Sequence, residues 1–278
     1  MPLSVMQPLG VCSWSLRATN PTELIARVKA TGLSAVQLAL TPLVESPTVW
    51  CDVFRRMHDE GIAVVSGMLE TVGEDYSSIE RIALTGGVRP DATWAATRER
   101  ALRVADVAAR HGLELVTFHA GFLPHDRADP ERSRMIERLR DMAELFATQH
   151  IAIAFETGQE PAATLIDCLQ SLDAPSVGVN FDPANMLLYG SGDPIDALVR
   201  LAPWVRQAHV KDALPSALAG VWGTEVPVGT GLVDWRAFLS ALSASPHRPR
   251  LVIEREAEDA RIDDIRAAKT LLDRLALG

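Results

Sequence analysis

The sequence predicts one α/β domain over residues 1–278, folded as a closed (β/α)8 barrel. Three observations predict it. Short apolar runs alternate with longer amphipathic ones, and there are eight such β-then-α units. The later apolar runs are nearly continuous, as expected of parallel strands buried on both faces. No linker, repeat or low-complexity tract divides the chain. An open doubly wound sheet is the competing architecture, but no G-x-G-x-x-G follows the first strand.

The elements follow in order. Residues 11–14 close a first strand. Pro21–Thr31 is a helix, with Asn20 as N-cap, Pro21 at the first helical position and Gly32 at its end. Residues 35–40 form strand two. Residues 47–60 read as one helix stopped by Gly61, and 62–66 as strand three. Residues 70–90 are irregular and rich in Gly and Ser, long enough to act as a lid starting at Glu70. Residues 91–111 are helical, Leu115–Phe118 is strand four, and 130–149 is the next helix. Strands five to eight are 151–155, Val177–Phe181, Val205–Val210 and 251–253. Helices at 161–172, Pro194–Leu201 and 235–242 separate them, and 261–275 closes the chain.

Composition narrows the function classes. The chain is 47% hydrophobic and 23% charged, ordinary for a folded cytosolic protein. A net charge of −9 opposes nucleic-acid binding, which needs clustered Lys and Arg. The three cysteines, Cys12, Cys51 and Cys168, are odd in number and lack metal-type spacing. Reduced thiols in a cytoplasm account for them. Residues 1–10 lack a signal-peptide pattern, and no window approaches a membrane span.

Four consecutive strands end in a residue suited to a hard metal: Glu156, Asp182, His209 and Glu254. In a barrel, the C-terminal strand ends converge on the face that holds the active site. Alone, each has a bland account: Asp182 before Pro183 suits a cap, His209 a satisfied core histidine, and either glutamate an ion pair. Together they place three carboxylates and one imidazole at one level. A divalent cation resolves the repulsion. The donor set suits Mn, Mg or Co, with Zn admissible. His119 ends strand four on the same rim, Trp14 ends strand one with a face for a sugar ring, and Glu256 shares the parity of Glu254. Lys211 lies two residues beyond His209, placed to bind a hydroxyl, to stabilise an oxyanion or merely to pair with Asp212.

These residues resemble the xylose isomerase-like TIM barrel superfamily, its sugar phosphate isomerase/epimerase group. The likeness spans nearly the whole chain and is strongest from Phe155 onward. It rests on Glu156, Asn180-Phe181-Asp182-Pro183-Ala184-Asn185, His209-Val210-Lys211-Asp212, the segment from Pro227 to Trp235, and Ile253-Glu254. The resemblance implies that Glu156, Asp182, His209 and Glu254 hold the metal, that Glu156 and Glu254 double as acid and base, and that His119 contacts substrate. It leaves room for a homo-oligomer. The chain departs from the ketose 3-epimerase pattern at Asn185, where those enzymes carry a histidine, at Pro215, where they carry an arginine, and at Thr230, where Glu is common. Asn185 is then a substrate-side residue of different chemistry, and no Arg clamp for a phosphate is evident.

The expected function is proton abstraction beside a carbonyl of a sugar or polyol, through an enediolate, giving isomerisation or epimerisation. A metal-dependent lyase or dehydratase on a keto-sugar or inosose begins with the same step. Two other classes share the barrel. An apurinic endonuclease needs a trinuclear zinc cluster, for which seven histidines and a −9 charge are unsuited. A non-catalytic sugar-binding barrel has no use for both glutamates.

Overall fold

A computed structural model describes residues 8–277; the part of the 1–10 segment before residue 8 lies outside the described residues. The elements are β1 (Gly10–Cys12), α1 (Pro21–Thr31), β2 (Ala35–Ala39), α2 (Thr41–Glu45), α3 (Pro47–Trp50), α4 (Val53–Asp59), β3 (Ala63–Met68), α5 (Ile79–Thr85), α6 (Asp91–Arg110), β4 (Leu115–Phe118), α7 (Pro130–Ala147) and β5 (Ala152–Glu156). The second half holds α8 (Ala162–Leu172), β6 (Val177–Phe181), α9 (Pro183–Tyr189), α10 (Pro194–Leu201), β7 (Val205–Val210), β8 (Asp212–Leu214), β9 (Thr224–Val226), α11 (Trp235–Ser243), β10 (Arg250–Ile253) and α12 (Arg261–Leu277).

Eight of the strands close into a parallel barrel, with β10 hydrogen-bonded between β7 and β1. This is the (β/α)8 TIM barrel that the strand count predicts. Helices cover its outside through one buried side chain per turn, such as Leu24, Val104, Leu139, Leu165 and Phe238, each 0–1% exposed. Side chains of alternate parity point into the barrel, and there the filling is polar: Gln37, Ser66, Thr117, Asn180 and Gln207 are fully buried.

The structure corrects several boundaries. Strand one ends at Cys12, and Trp14–Leu16 is a 3-10 turn. The segment read as one helix over 47–60 is broken into α3 and α4 at Cys51-Asp52, and α2 precedes it. Buried Trp50 and Val53 both face the core on either side of that break. The third strand runs on to Met68. The 70–90 segment is not irregular throughout: α5 lies within it, capped by Ser78, whose side chain accepts from Arg81 N–H. The helix α9 and the antiparallel hairpin β8–β9 were not foreseen.

The turn after β5 buries residues 157–160 completely. Glu160 is 5% exposed, and its Oε2 has no hydrogen-bond partner. Burial pushes its carboxyl up to about 8. A carboxyl that binds its proton more tightly folded than unfolded loses stability as pH rises from its unfolded value, near 4.5, to its folded one. Glu160→Gln therefore raises Tm by several degrees at pH 8, and the gain shrinks toward pH 5. Thermal melts across that range check it; a constant offset at every pH contradicts the assignment.

Candidate metal centre and substrate pocket

The four strand-end residues meet. One donor atom from each of Glu156, Asp182, His209 and Glu254 lies within 4.8 Å of every other. Backbone register brings them there: His209 pairs with Val252 on β10, and Glu156 pairs with Asn180 on β6. His209 Nδ1 is 3.5 Å from Glu156 Oε1, 3.5 Å from Asp182 Oδ2 and 3.3 Å from Glu254 Oε2.

Asp182 has two roles, one per oxygen. Its Oδ1 accepts from Asn185 N–H at 2.9 Å and caps α9. Its Oδ2 is buried without a hydrogen-bond partner, as is His209 Nδ1. Two unpartnered buried ligand atoms facing each other beside two carboxylates suit a cation site. The residues fit a divalent ion with one nitrogen and three oxygen donors.

Electrostatics fits the same account. Burial raises the Asp182 carboxyl to about 6. Burial alone would also raise Glu254, but Lys211 and His209 more than offset it and hold it well below the carboxylate range. Glu156 is lowered too, because His119 and His209 outweigh its burial. Burial opposes charge on His209, but Glu254 and Glu156 lift it well above its usual value.

The structure also assigns partners that sequence could only leave open. Lys211 Nζ donates to Glu254 Oε2 and Glu256 Oε2, each at 2.9 Å, and does not pair with Asp212. Asp212 is buried and accepts from Gly229, Gly231 and Val233 N–H and from Trp235 Nε1. It thereby pins the glycine-containing turn, where a Cβ on Gly231 would lie 2.1 Å from Asp212 Oδ1. Trp14 uses its edge, donating Nε1–H to Glu254 Oε1 at 2.5 Å. Asn185 donates Nδ2–H to Glu156 Oε1 at 3.0 Å. Gly158, with φ 137°, permits that approach; a Cβ there would be 2.5 Å from that of Asn185.

A cavity of about 660 Å³ opens above the cluster. Glu156 and Glu254 line it, whereas Asp182 and His209 lie beneath. His119, Asn185, Lys211, Trp14 and Glu256 also line it, so every residue expected on the substrate side is present. His119 Nε2 is 3.8 Å from Glu156 Oε2, and its buried Nδ1 has no partner. Glu70, Glu74 and Tyr76 bring the 70–90 segment to the cavity wall.

Sequence reading missed two sets of residues. Tyr76, Tyr189, Trp50 and Trp222 join Trp14 around the cavity, so both tyrosines and three of six tryptophans line one pocket. Tyr189 and Trp222 stack edge-on at 4.6 Å. The barrel-interior amides were missed as well. Their signal was present: Gln207, His209 and Lys211 share one strand face, and Gln37 interrupts an apolar run.

Comparisons with known proteins agree with this fold. The family described as xylose isomerase-like TIM barrel matches residues 25–275. A xylose isomerase domain protein from Planctomyces limnophilus is 30% identical, with 97% of each chain covered and a TM-score of 0.86. A xylose isomerase-like TIM barrel protein from Mycobacterium smegmatis, solved in complex with magnesium, is 15% identical over 99% of each chain with a TM-score of 0.71. A D-psicose 3-epimerase from Clostridium cellulolyticum H10, solved with D-tagatose, is 14% identical over 98% of this chain and 99% of its own, with a TM-score of 0.71. Among curated proteins, a 3-dehydroshikimate dehydratase from Bacillus anthracis is 24% identical over 138 residues, 44% of this chain. That match spans about half, 49%, of the relative's length. Among the described residues, no helix is long and apolar enough to cross a membrane.

Proposed function

The chain belongs to the xylose isomerase-like TIM barrel family, and from that premise we propose a divalent-metal-dependent isomerase or epimerase of uncharged sugars or polyols. The observation that carries this is the division within the cluster. Two of its four members, Glu156 and Glu254, face the cavity, and the other two are sealed beneath them. Two carboxylates between the cation site and the substrate are placed for proton transfer as well as ligation.

Glu156, Asp182, His209 and Glu254 would hold Mn, Mg, Co or Zn, which would supply Lewis acidity beside a substrate carbonyl. Glu254, kept ionised by Lys211, takes the proton from the carbon beside the carbonyl. For epimerisation a second proton reaches the opposite face through Glu156, which receives it from His119 Nε2 beside its Oε2, while the proton held by Glu254 is lost to solvent. Lys211 also donates toward the developing oxyanion when substrate displaces its contact with Glu256. Trp14 and the other aromatic side chains give the hydroxyl-bearing ring a face to lie on.

The pocket charge selects the substrate. Glu70, Glu74, Glu225 and Glu256 line it besides the two inner glutamates. Burial, then Glu74, raises the Glu70 carboxyl, which shows how crowded with negative charge this wall is. The lining cations are committed: Lys211 to Glu254 and Glu256, Arg17 to Asp259. A free keto-sugar therefore has a kcat/KM at least about tenfold above that of its phosphate ester, the penalty of bringing a dianion against the glutamates of the outer wall. Equal values for D-fructose and D-fructose 6-phosphate contradict the proposal.

Elimination is the second reading, favoured by the match to a dehydratase. It shares the first proton abstraction, and the leaving group beside the carbonyl decides between the two. The test is a panel of free keto-sugars and inososes followed by NMR in D2O with added Mn or Mg. Solvent deuterium entering one C–H supports isomerisation or epimerisation. Loss of water supports the lyase. No exchange and no product with any substrate overturns both.

A further inference from the structure

A chain of buried amides crosses the barrel interior beneath the metal ligands, and its direction can be deduced. Glu156 is the anchor, because an ionised carboxylate only accepts. Asn180 Nδ2 lies 3.4 Å from Glu156 Oε2, so Asn180 turns its amino group there and its oxygen away. Gln207 Nε2 donates to that oxygen at 3.2 Å and to Gln37 Oε1 at 2.9 Å. Ser66 Oγ supplies the Gln207 oxygen at 2.6 Å, and Gln37 Nε2 donates to Thr117 Oγ1 at 2.7 Å. Gln37 thus presents its oxygen, and only its oxygen, to His209 Nε2 at 2.9 Å. Asn180 Nδ2 lies 3.0 Å from the same ring nitrogen, so its second N–H offers the competing arrangement in which Nε2 accepts, and Gln37 Oε1 is the acceptor that opposes it by taking a proton from Nε2.

We infer that Gln37 is the positioning residue that keeps the His209 proton on Nε2, so that Nδ1 presents its lone pair to the cation. The inference rests on the metal reading above and deepens it. An imidazole has one lone pair when neutral, and the hydrogen bond made by one nitrogen decides which nitrogen keeps it. Without an acceptor at Gln37, the proton moves to Nδ1, toward three carboxylates, and competes with the metal. Gln37 lies on β2, 172 residues from His209 in sequence, and is fully buried. The ladder also couples the two sides of the cluster: the orientation of the amide at Glu156 sets the orientation of the amide at His209.

The experiment measures metal binding, without substrate. Isothermal titration of the metal-free protein with Mn2+ gives the parent Kd. Gln37→Met keeps the volume but removes the acceptor, and weakens binding by roughly 10–100-fold. Gln37→Glu keeps the acceptor and holds the affinity near the parent value, as does Thr117→Val, which cuts only the far end of the amide. With 15N-labelled histidine and Mg2+ bound, the parent protein shows a slowly exchanging His209 Nε2–H, which Gln37→Met loses. Unchanged Mn2+ affinity in Gln37→Met overturns the assignment. So does equal weakening in Gln37→Met, Gln37→Glu and Thr117→Val, which marks a packing role. A parent protein whose His209 Nε2 carries no proton overturns it even when Gln37→Met fails to fold. If the parent binds no divalent metal, the proposed function itself fails; if it binds metal and Gln37→Met binds as well, only Gln37 loses its role.

Discussion

Glu254→Gln lowers solvent-deuterium exchange into a keto-sugar substrate by about 1,000-fold or more, in line with the loss of a positioned general base. The substitution keeps the shape and removes the charge. Glu254 Oε1 accepts from Trp14 and Oε2 from Lys211, so the amide leaves one of these donors facing an N–H. The protein still folds, because β10 is held by backbone pairing with β7 and β1 and by buried Leu251, Val252 and Ile253. Circular dichroism and Tm close to the parent, with exchange abolished, is the expected pair of results. Retained exchange at parental rates rules out Glu254 as the base. Glu156→Gln distinguishes the two glutamates. If Glu156 only delivers the second proton, that variant still washes deuterium in at Glu254's face while the epimer fails to form.

Chelation of the metal abolishes turnover, and the affinity of the metal-free protein for Mn2+ weakens as pH falls. The sign follows from His209 and Asp182. In the metal-free cluster the carboxylates hold the His209 proton well above its usual pH range despite burial. Burial brings the Asp182 carboxyl to about 6. Both groups must be proton-free at the ligating atoms, so binding expels protons. Affinity therefore falls by about one log unit per pH unit where one proton is displaced, and more steeply below about pH 6, where Asp182 also protonates. Titration calorimetry in buffers of different ionisation enthalpy counts the protons released. The bound ion stabilises the fold by mass action, about 2.7 kcal/mol at a hundredfold excess over Kd, and Tm rises with metal concentration. A pH-independent affinity with no proton release contradicts the assigned ligand set.

Much of this site is legible in the sequence, and the reason is geometric. A parallel barrel puts all its strand ends on one face, so Glu156, Asp182, His209 and Glu254 needed only their positions after four apolar runs to be brought together. Strand parity likewise carried Lys211 and Glu256 to the pocket. The helix boundaries at Asn20 and Gly32 followed from cap chemistry that acts within one turn.

What only the tertiary structure decided is partnership across long sequence distance. Nothing local told Lys211 to choose Glu254 and Glu256 over the adjacent Asp212, since Asp212 is spent on the Gly229–Val233 backbone. The break between α3 and α4 at Cys51-Asp52 has no Gly or Pro to mark it in the sequence. Trp14 became a hydrogen-bond donor to Glu254 because barrel closure sets β1 beside β10. The strand ends and their chemistry are properties of short segments, written in the sequence by apolar runs and their last residues. The hydrogen bond from His209 to Gln37 exists only once β2 and β7 face each other across a closed interior, and a contact made by closure leaves no periodic trace in either strand.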